Sequence, residues 1–168
     1  MTGDQFIDVA GKIAASYSDP ASCRTAISRA YYGTFHLAKA FLNALGVRPP
    51  KNANAHVFIR QRLSNCGFGD GETVGALLWD LYADRLKADY DLDSTIVEKV
   101  AYAKTSVETA RALESALASC QPDAARTSIW LLALCEQRRQ ALPRLRKSRA
   151  LRDDEARRQN ARHGRRLG

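Results

Sequence analysis

Three features of this 168-residue sequence predict an all-α fold, an antiparallel bundle of four to five helices with a further C-terminal helix and a basic tail. Apolar residues recur at three- and four-residue spacing along most of the chain. No stretch keeps the two-residue alternation of a strand. The breaks between periodic segments are short clusters of Gly, Pro, Asn and Asp, and short connections make successive helices antiparallel neighbours.

The elements follow in order. Asp4 is the predicted cap of a first helix with Phe6, Ile7, Val9, Ile13 and Tyr17 on its inner side. "SDPAS" restarts the chain with Asp19 as N-cap and Pro20 at the first helical position, where a missing N–H costs nothing. This second helix runs through Gly33 to Leu45 and closes at Gly46. "VRPPKNANA" is a loop, and Asn54 opens a third helix through His56, Phe58, Ile59 and Leu63 that stops at Gly67. "GFGDGE" reads as a glycine-rich turn without the glycine order of a phosphate-binding loop. Helix four is expected from about Glu72 to Tyr90. Thr95 and Glu98 form the expected capping box of helix five, which continues to about Ser119. Pro122 begins a sixth segment containing "IWLLALC", and Pro143 interrupts it. The predicted organisation is a bundle over 1–120, an accessory helix over 121–142 and a basic tail over 143–168.

Charge separates the same regions. The net charge is +8, yet residues 137–168 hold twelve basic and three acidic residues, a net of +9, which leaves 1–136 at −1. The basicity therefore belongs to the tail, which has Leu but no aromatic residue to stack on bases. Arg144, Arg146, Lys147 and Arg149 are its candidate contacts to nucleic-acid phosphates. Such contacts would be sequence-blind and salt-sensitive. A solvated disordered tail, or an arm on an acidic partner protein, are the other readings.

Cys23, Cys66, Cys120 and Cys135 show no C-x-x-C pair and no His at ligand spacing, which favours buried thiols in a reducing cytoplasm over a zinc site. No cofactor or metal is expected. "MTGDQFIDVAGK" lacks the apolar region of a signal peptide, and "IWLLALC" is far shorter than a membrane span. A cytoplasmic protein without membrane association is expected.

The second helix carries two stripes. Tyr31, Phe35, Ala38 and Leu42 form a core stripe, while Ser28, Tyr32, His36 and Lys39 are polar-tipped at the same spacing one position along. The second stripe faces solvent or a neighbour's polar side, or it lines a cleft or a dimer interface.

"SRAYYGTFHLAKAFL" (Ser28–Leu42), "AHVFIRQRL" (Ala55–Leu63) and "DRLKADYDLD" (Asp84–Asp93), in that order, resemble the HEPN domain (higher eukaryotes and prokaryotes nucleotide-binding). The closest similarity is to its small prokaryotic group with an A-Y-Y helix and an R-x-x-A-D-Y turn. The resemblance spans about residues 20–118. It implies a helical bundle, often a homodimer, and frequent pairing with a nucleotidyltransferase antitoxin in toxin–antitoxin modules. Many such proteins are metal-independent endoribonucleases with an Arg-x(4–6)-His motif on the later helices. Arginine's planar fork suits two phosphate oxygens, and imidazole suits proton transfer near neutral pH.

Here the sequence departs from that pattern. After Arg85 the positions for His hold Tyr90, Asp91 and Leu92. Arg29–His36 and Arg158–His163 meet the spacing only formally, the first on the wrong helix and the second in the tail. His36 or His56 is then the candidate imidazole, supplied from another helix to Arg85. Arg85, Asp89, Tyr90 and Tyr32 are the candidate nucleotide or RNA contacts. The competing reading makes Arg85 and Asp89, four residues apart, an ion pair that anchors the end of helix four. The expected function is that of a HEPN-like protein in a toxin–antitoxin or defence module, with the ribonuclease motif degenerate or absent. The alternative is a non-catalytic scaffold or partner-binding helical domain.

Overall fold

The computed structural model describes residues 2–67 and 69–120, and all regular structure among them is helical. The helices are α1 (Gly3–Ser16), α2 (Pro20–Ala44), α3 (Asn54–Ser64), α4 (Gly69–Tyr90) and α5 (Val100–Ser119), with one 3-10 turn at Ile96–Glu98 before α5. The all-α expectation is met. The expected accessory helix and basic tail, with Arg144, Arg146, Lys147, Arg149, His163 and Cys135, lie outside the described residues.

Local chemistry explains most boundaries. The Asp19 carboxylate accepts from the Ser22 N–H at 2.9 Å and Pro20 follows, as the sequence requires. At the other end of α2, Gly46 is left-handed (φ 84°), with Val47 N–H bonded to the Leu42 carbonyl and Gly46 N–H to that of Asn43. That pair of bonds is a Schellman ending.

Three boundaries differ from expectation. Thr2, not Asp4, is the N-cap of α1, and its N–H donates to Gln5 Oε1 at 3.0 Å. Asp4 sits in the first turn, where it faces the positive end of the helix dipole. α4 begins at Gly69, inside the expected glycine turn, with Asp70 and Glu72 in its first turn. Gly71 and Gly75 are buried, and at Gly75 α4 packs closely on α3: a Cβ there would lie 2.5 Å from the Ser64 backbone nitrogen. Thr95 and Glu98 form no capping box. Thr95 makes no side-chain cap bond, and the Glu98 carboxylate is instead engaged by Arg24.

α2 is the central helix and packs against the other four. α2 runs antiparallel to α1 and α4, and α4 antiparallel to α3. Gly3 and Ile7 of α1 meet Gly33 of α2, and Gly3 also meets Leu37. Tyr32 and Ser28 of α2 reach Arg85 and Asp89 of α4 respectively. Arg60 and His56 of α3 meet Trp79 and Tyr82 of α4. The core holds Ile7, Ile27, Tyr31, Leu42, Ile59, Leu63, Leu78, Leu81 and Leu113, and Phe35 and Ala38 complete the predicted stripe of α2. On α1 the inner side is Gly3, Ile7, Ala10 and Ala14, whereas Val9 and Tyr17 are exposed. Small residues at that seam let α1 and α2 approach closely, which a larger apolar stripe would prevent. Cys23, Cys66 and Cys120 are buried. Among the described residues no helix is long and apolar enough to cross a membrane.

Candidate functional site

The contacts at the end of α4 determine what Arg85 is free to do. A helix leaves its last carbonyls without intrahelical donors. Arg24, from the first turns of α2 and only 12% exposed, supplies them. Its Nη1 donates to the carbonyls of Lys87 (3.3 Å), Ala88 (3.1 Å) and Asp91 (2.9 Å). Its Nη2 donates to those of Leu92 (3.2 Å) and Ser94 (2.9 Å) and to Glu98 Oε1 (2.8 Å), which also accepts from Nε at 3.0 Å. One guanidinium thus ties α2 to the last turn of α4, the following loop and the 3-10 turn. The ion pair holding this helix end is Arg24–Glu98.

Arg85 stands one turn earlier, on the face of α4 turned toward α2. Its Nε lies 2.7 Å from Asp89 Oδ2, but the N–H does not point at that oxygen, so the contact is an ion pair rather than an aligned hydrogen bond. Nη2 donates to the hydroxyls of Tyr32 at 2.8 Å and Tyr90 at 3.1 Å. The guanidinium carbon lies 5.3 Å from the Tyr32 ring centre and 4.9 Å from that of Tyr90, so both rings also stabilise the cation through their faces. Burial works against the charge of Arg85, but Tyr32, Tyr90 and Asp89 outweigh it and hold its pKa above the ordinary arginine value. None of the hydrogen bonds among the described residues uses Nη1. Asp89 is in turn oriented by Ser28, whose hydroxyl donates to Oδ2 at 3.3 Å.

The histidines are placed differently from each other. His56, on α3, is half-buried with its Nδ1 2.5 Å from the Tyr31 hydroxyl. Its ring stacks near Phe35 (4.3 Å) and Tyr82 (6.1 Å). Burial, then the charge of Arg85, push its pKa below the ordinary imidazole value. His36 is exposed and stacks on Phe6 at 5.6 Å, with burial of part of its ring and Lys39 lowering its pKa. Arg29 lies over the same Phe6 ring at 5.8 Å, so the formally spaced Arg29–His36 pair is gathered on α1.

The second stripe of α2 is therefore split. Ser28 and Tyr32 meet Asp89 and Arg85, whereas His36 turns to Phe6. Arg85, Asp89, Tyr90 and Tyr32 are assembled as one group, and His56 adjoins it through Tyr31, whose ring is 5.5 Å from that of Tyr32. Sequence reasoning missed Arg24, and it missed Arg60, Trp79 and Tyr82, which extend the ring cluster along α4. Trp79 and Tyr82 are three apart on one helix and were visible in principle; the partners of Arg24 lie more than sixty residues away and were not. Asp84 in "DRLKADYDLD" faces the other side, accepting from Tyr102 (2.5 Å) and Ser106 (3.3 Å) of α5. No group of three or more His, Cys, Asp or Glu among the described residues could hold a metal ion.

The chain is 36% identical over 76 residues to a Methanocaldococcus jannaschii protein named "Putative toxin MJ0605". The matched segment covers 45% of this chain and 56% of that protein, so the chain spans little more than half the length of its relative. No protein-family profile matches the sequence, and no solved structure matches it.

Proposed function

We propose that this is a HEPN-like protein of a toxin–antitoxin or defence module that binds RNA or nucleotide phosphate at Arg85. The observation that carries the reading is the division of labour between two arginines. Arg24 holds the end of α4, so Arg85 and Asp89 are not needed as its anchor. Arg85 is instead propped by two tyrosine hydroxyls and one carboxylate with Nη1 unused, a guanidinium held in place for an incoming anion. Support for the module comes from the three ordered sequence motifs and from the name of the archaeal relative.

The histidines favour binding over vigorous cleavage. Tyr31 is buried and its hydroxyl has no other acceptor among the described residues, so it donates to His56 Nδ1. Neutral His56 then carries its proton on Nε2, an assignment made from the bonding network, and is a hydrogen-bond donor rather than a base. A donor beside Arg85 suits phosphate recognition. Homodimerisation and a nucleotidyltransferase antitoxin partner belong to the same proposal, as does phosphate contact by Arg144, Arg146, Lys147 and Arg149.

The test is fluorescence anisotropy with labelled single-stranded RNA and the full chain. Arg85→Ala should weaken binding by about tenfold or more, as loss of a charge-assisted contact does, with circular dichroism unchanged. Arg85→Ala binding as tightly as the parent would place the RNA surface elsewhere and end this reading.

A further inference from the structure

Beyond Arg85, the face where α3 meets α4 carries a second guanidinium and the rings of His56, Trp79 and Tyr82. The Arg60 guanidinium carbon lies 3.4 Å from the centre of the Trp79 ring and 5.8 Å from that of Tyr82. The first distance is that of two planes in contact. Trp79 is nevertheless 48% exposed. From Trp79 the rings continue at close spacing: Tyr82 at 6.3 Å, then Tyr31 at 5.5 Å from Tyr82, then Tyr32 at 5.5 Å from Tyr31 and directly under Arg85. His56 stacks beside Tyr82 within this run. Trp79 and Arg85 are six residues apart on α4, about 9 Å along the helix axis and about 120° around it, a span that a nucleic-acid strand crosses by following the helix surface.

A folded protein gains little by leaving an indole half in water. Trp79 does not belong to the core, which Leu78 and Leu81 already fill from the same helix. Arg60 covers one face of the indole and fixes the ring, while about half of the residue stays exposed. The exposed indole with Arg60 lies at one end of this run and Arg85 over Tyr32 at the other, with the buried Tyr31 between them. An exposed ring flanked by cations is the combination that binds single-stranded nucleic acid through stacked bases and neutralised phosphates.

We infer that Trp79, with Arg60 and Tyr82, is a stacking platform for an unpaired nucleobase whose strand continues to a phosphate on Arg85. The inference rests on the RNA-binding reading of Arg85 and narrows its ligand to single strands. A paired base keeps its faces inside the duplex and cannot use the platform.

The experiment uses the full chain, a fluorescein-labelled oligouridylate and its duplex with oligoadenylate. Trp79→Ala should weaken single-strand binding by about 5- to 100-fold, the range of one base–aromatic contact. Trp79→Phe should restore most of it, and Arg60→Ala should weaken it less. Duplex binding should be the same in all three variants. In a Trp130→Phe background, which leaves Trp79 as the sole indole, oligouridylate should quench the tryptophan emission. If Arg85→Ala weakens single-strand binding while Trp79→Ala and Arg60→Ala do not, the platform is refuted and the Arg85 site stands. If none of the three substitutions matters, both readings fall. If Trp79→Ala changes only the oligomeric state, the exposed indole is a self-association surface and the platform is refuted.

Discussion

Replacing Arg24 with Ala removes a single side chain but frees six acceptors at once. Five are carbonyls and one is the Glu98 carboxylate. Water can replace the lost donor at Lys87, Asp91 and Leu92, where the bonds are exposed. It reaches the carbonyls of Ala88 and Ser94 and the Glu98 carboxylate less readily, because those bonds are partly buried. At about 1 kcal/mol for each under-satisfied buried acceptor, Arg24→Ala should cost about 3 kcal/mol. For a domain of this size that lowers the melting temperature by about 10 °C. Arg24→Lys should recover part of the loss, since an ammonium offers three donors but not the planar fork. Arg85→Ala is the matched control. Its carboxylate partner is 27% exposed and its other partners are hydroxyls that water can satisfy, so the expected cost is about 1 kcal/mol or less. Thermal melts followed by circular dichroism at matched protein concentration measure both. Arg24→Ala melting within about 2 °C of the parent, or Arg85→Ala proving the more damaging, would refute the assignment of the helix end to Arg24. Arg85 would then be a structural anchor rather than a contact held ready for a ligand.

Other expectations are checked as directly. Gly75→Ala should destabilise by about 1–3 kcal/mol in urea unfolding, because its methyl meets the backbone of α3, whereas Gly69→Ala, with open space around it, should be neutral or stabilising by up to about 1 kcal/mol. His56 has its pKa lowered on folding, so the unfolded chain binds its proton more readily; the stability it contributes is complete above the unfolded value near 6.5 and is lost as pH falls through the lower folded value. His56→Phe should therefore flatten the fall in stability between about pH 7 and 5, and an unchanged pH profile would show that His56 is not held neutral. Purified protein should cleave RNA weakly or not at all; robust cleavage abolished by His36→Ala alone would demand a rearranged site. Deleting residues 143–168 should flatten the dependence of log affinity on log salt, since each phosphate neutralised adds to that slope; equal slopes with and without the segment would place the general electrostatic contacts on the bundle.

The fold was legible because its signals are local. Helical period, the Asp19–Pro20 start, the Gly46 stop and the core stripe of Tyr31, Phe35, Ala38 and Leu42 each depend on residues within a few positions of one another. Where local signals misled, a distant partner had intervened. Glu98 left its expected capping box for Arg24, and α4 begins at Gly69, ahead of its close approach to the α3 backbone at Gly75. The sequence also supplied the residues of the candidate site, Arg85, Asp89, Tyr90, Tyr32 and His56, through their order in three motifs. It left open whether Arg85 and Asp89 anchor a helix or await a ligand, because both readings require the same four-residue spacing. Tertiary structure decided which arginine holds the helix end, since Arg24 reaches the carbonyls of Ala88 and Ser94 only after α2 and α4 have packed antiparallel. It likewise set Arg60 on Trp79, because α3 and α4 bring those side chains together from separate helices.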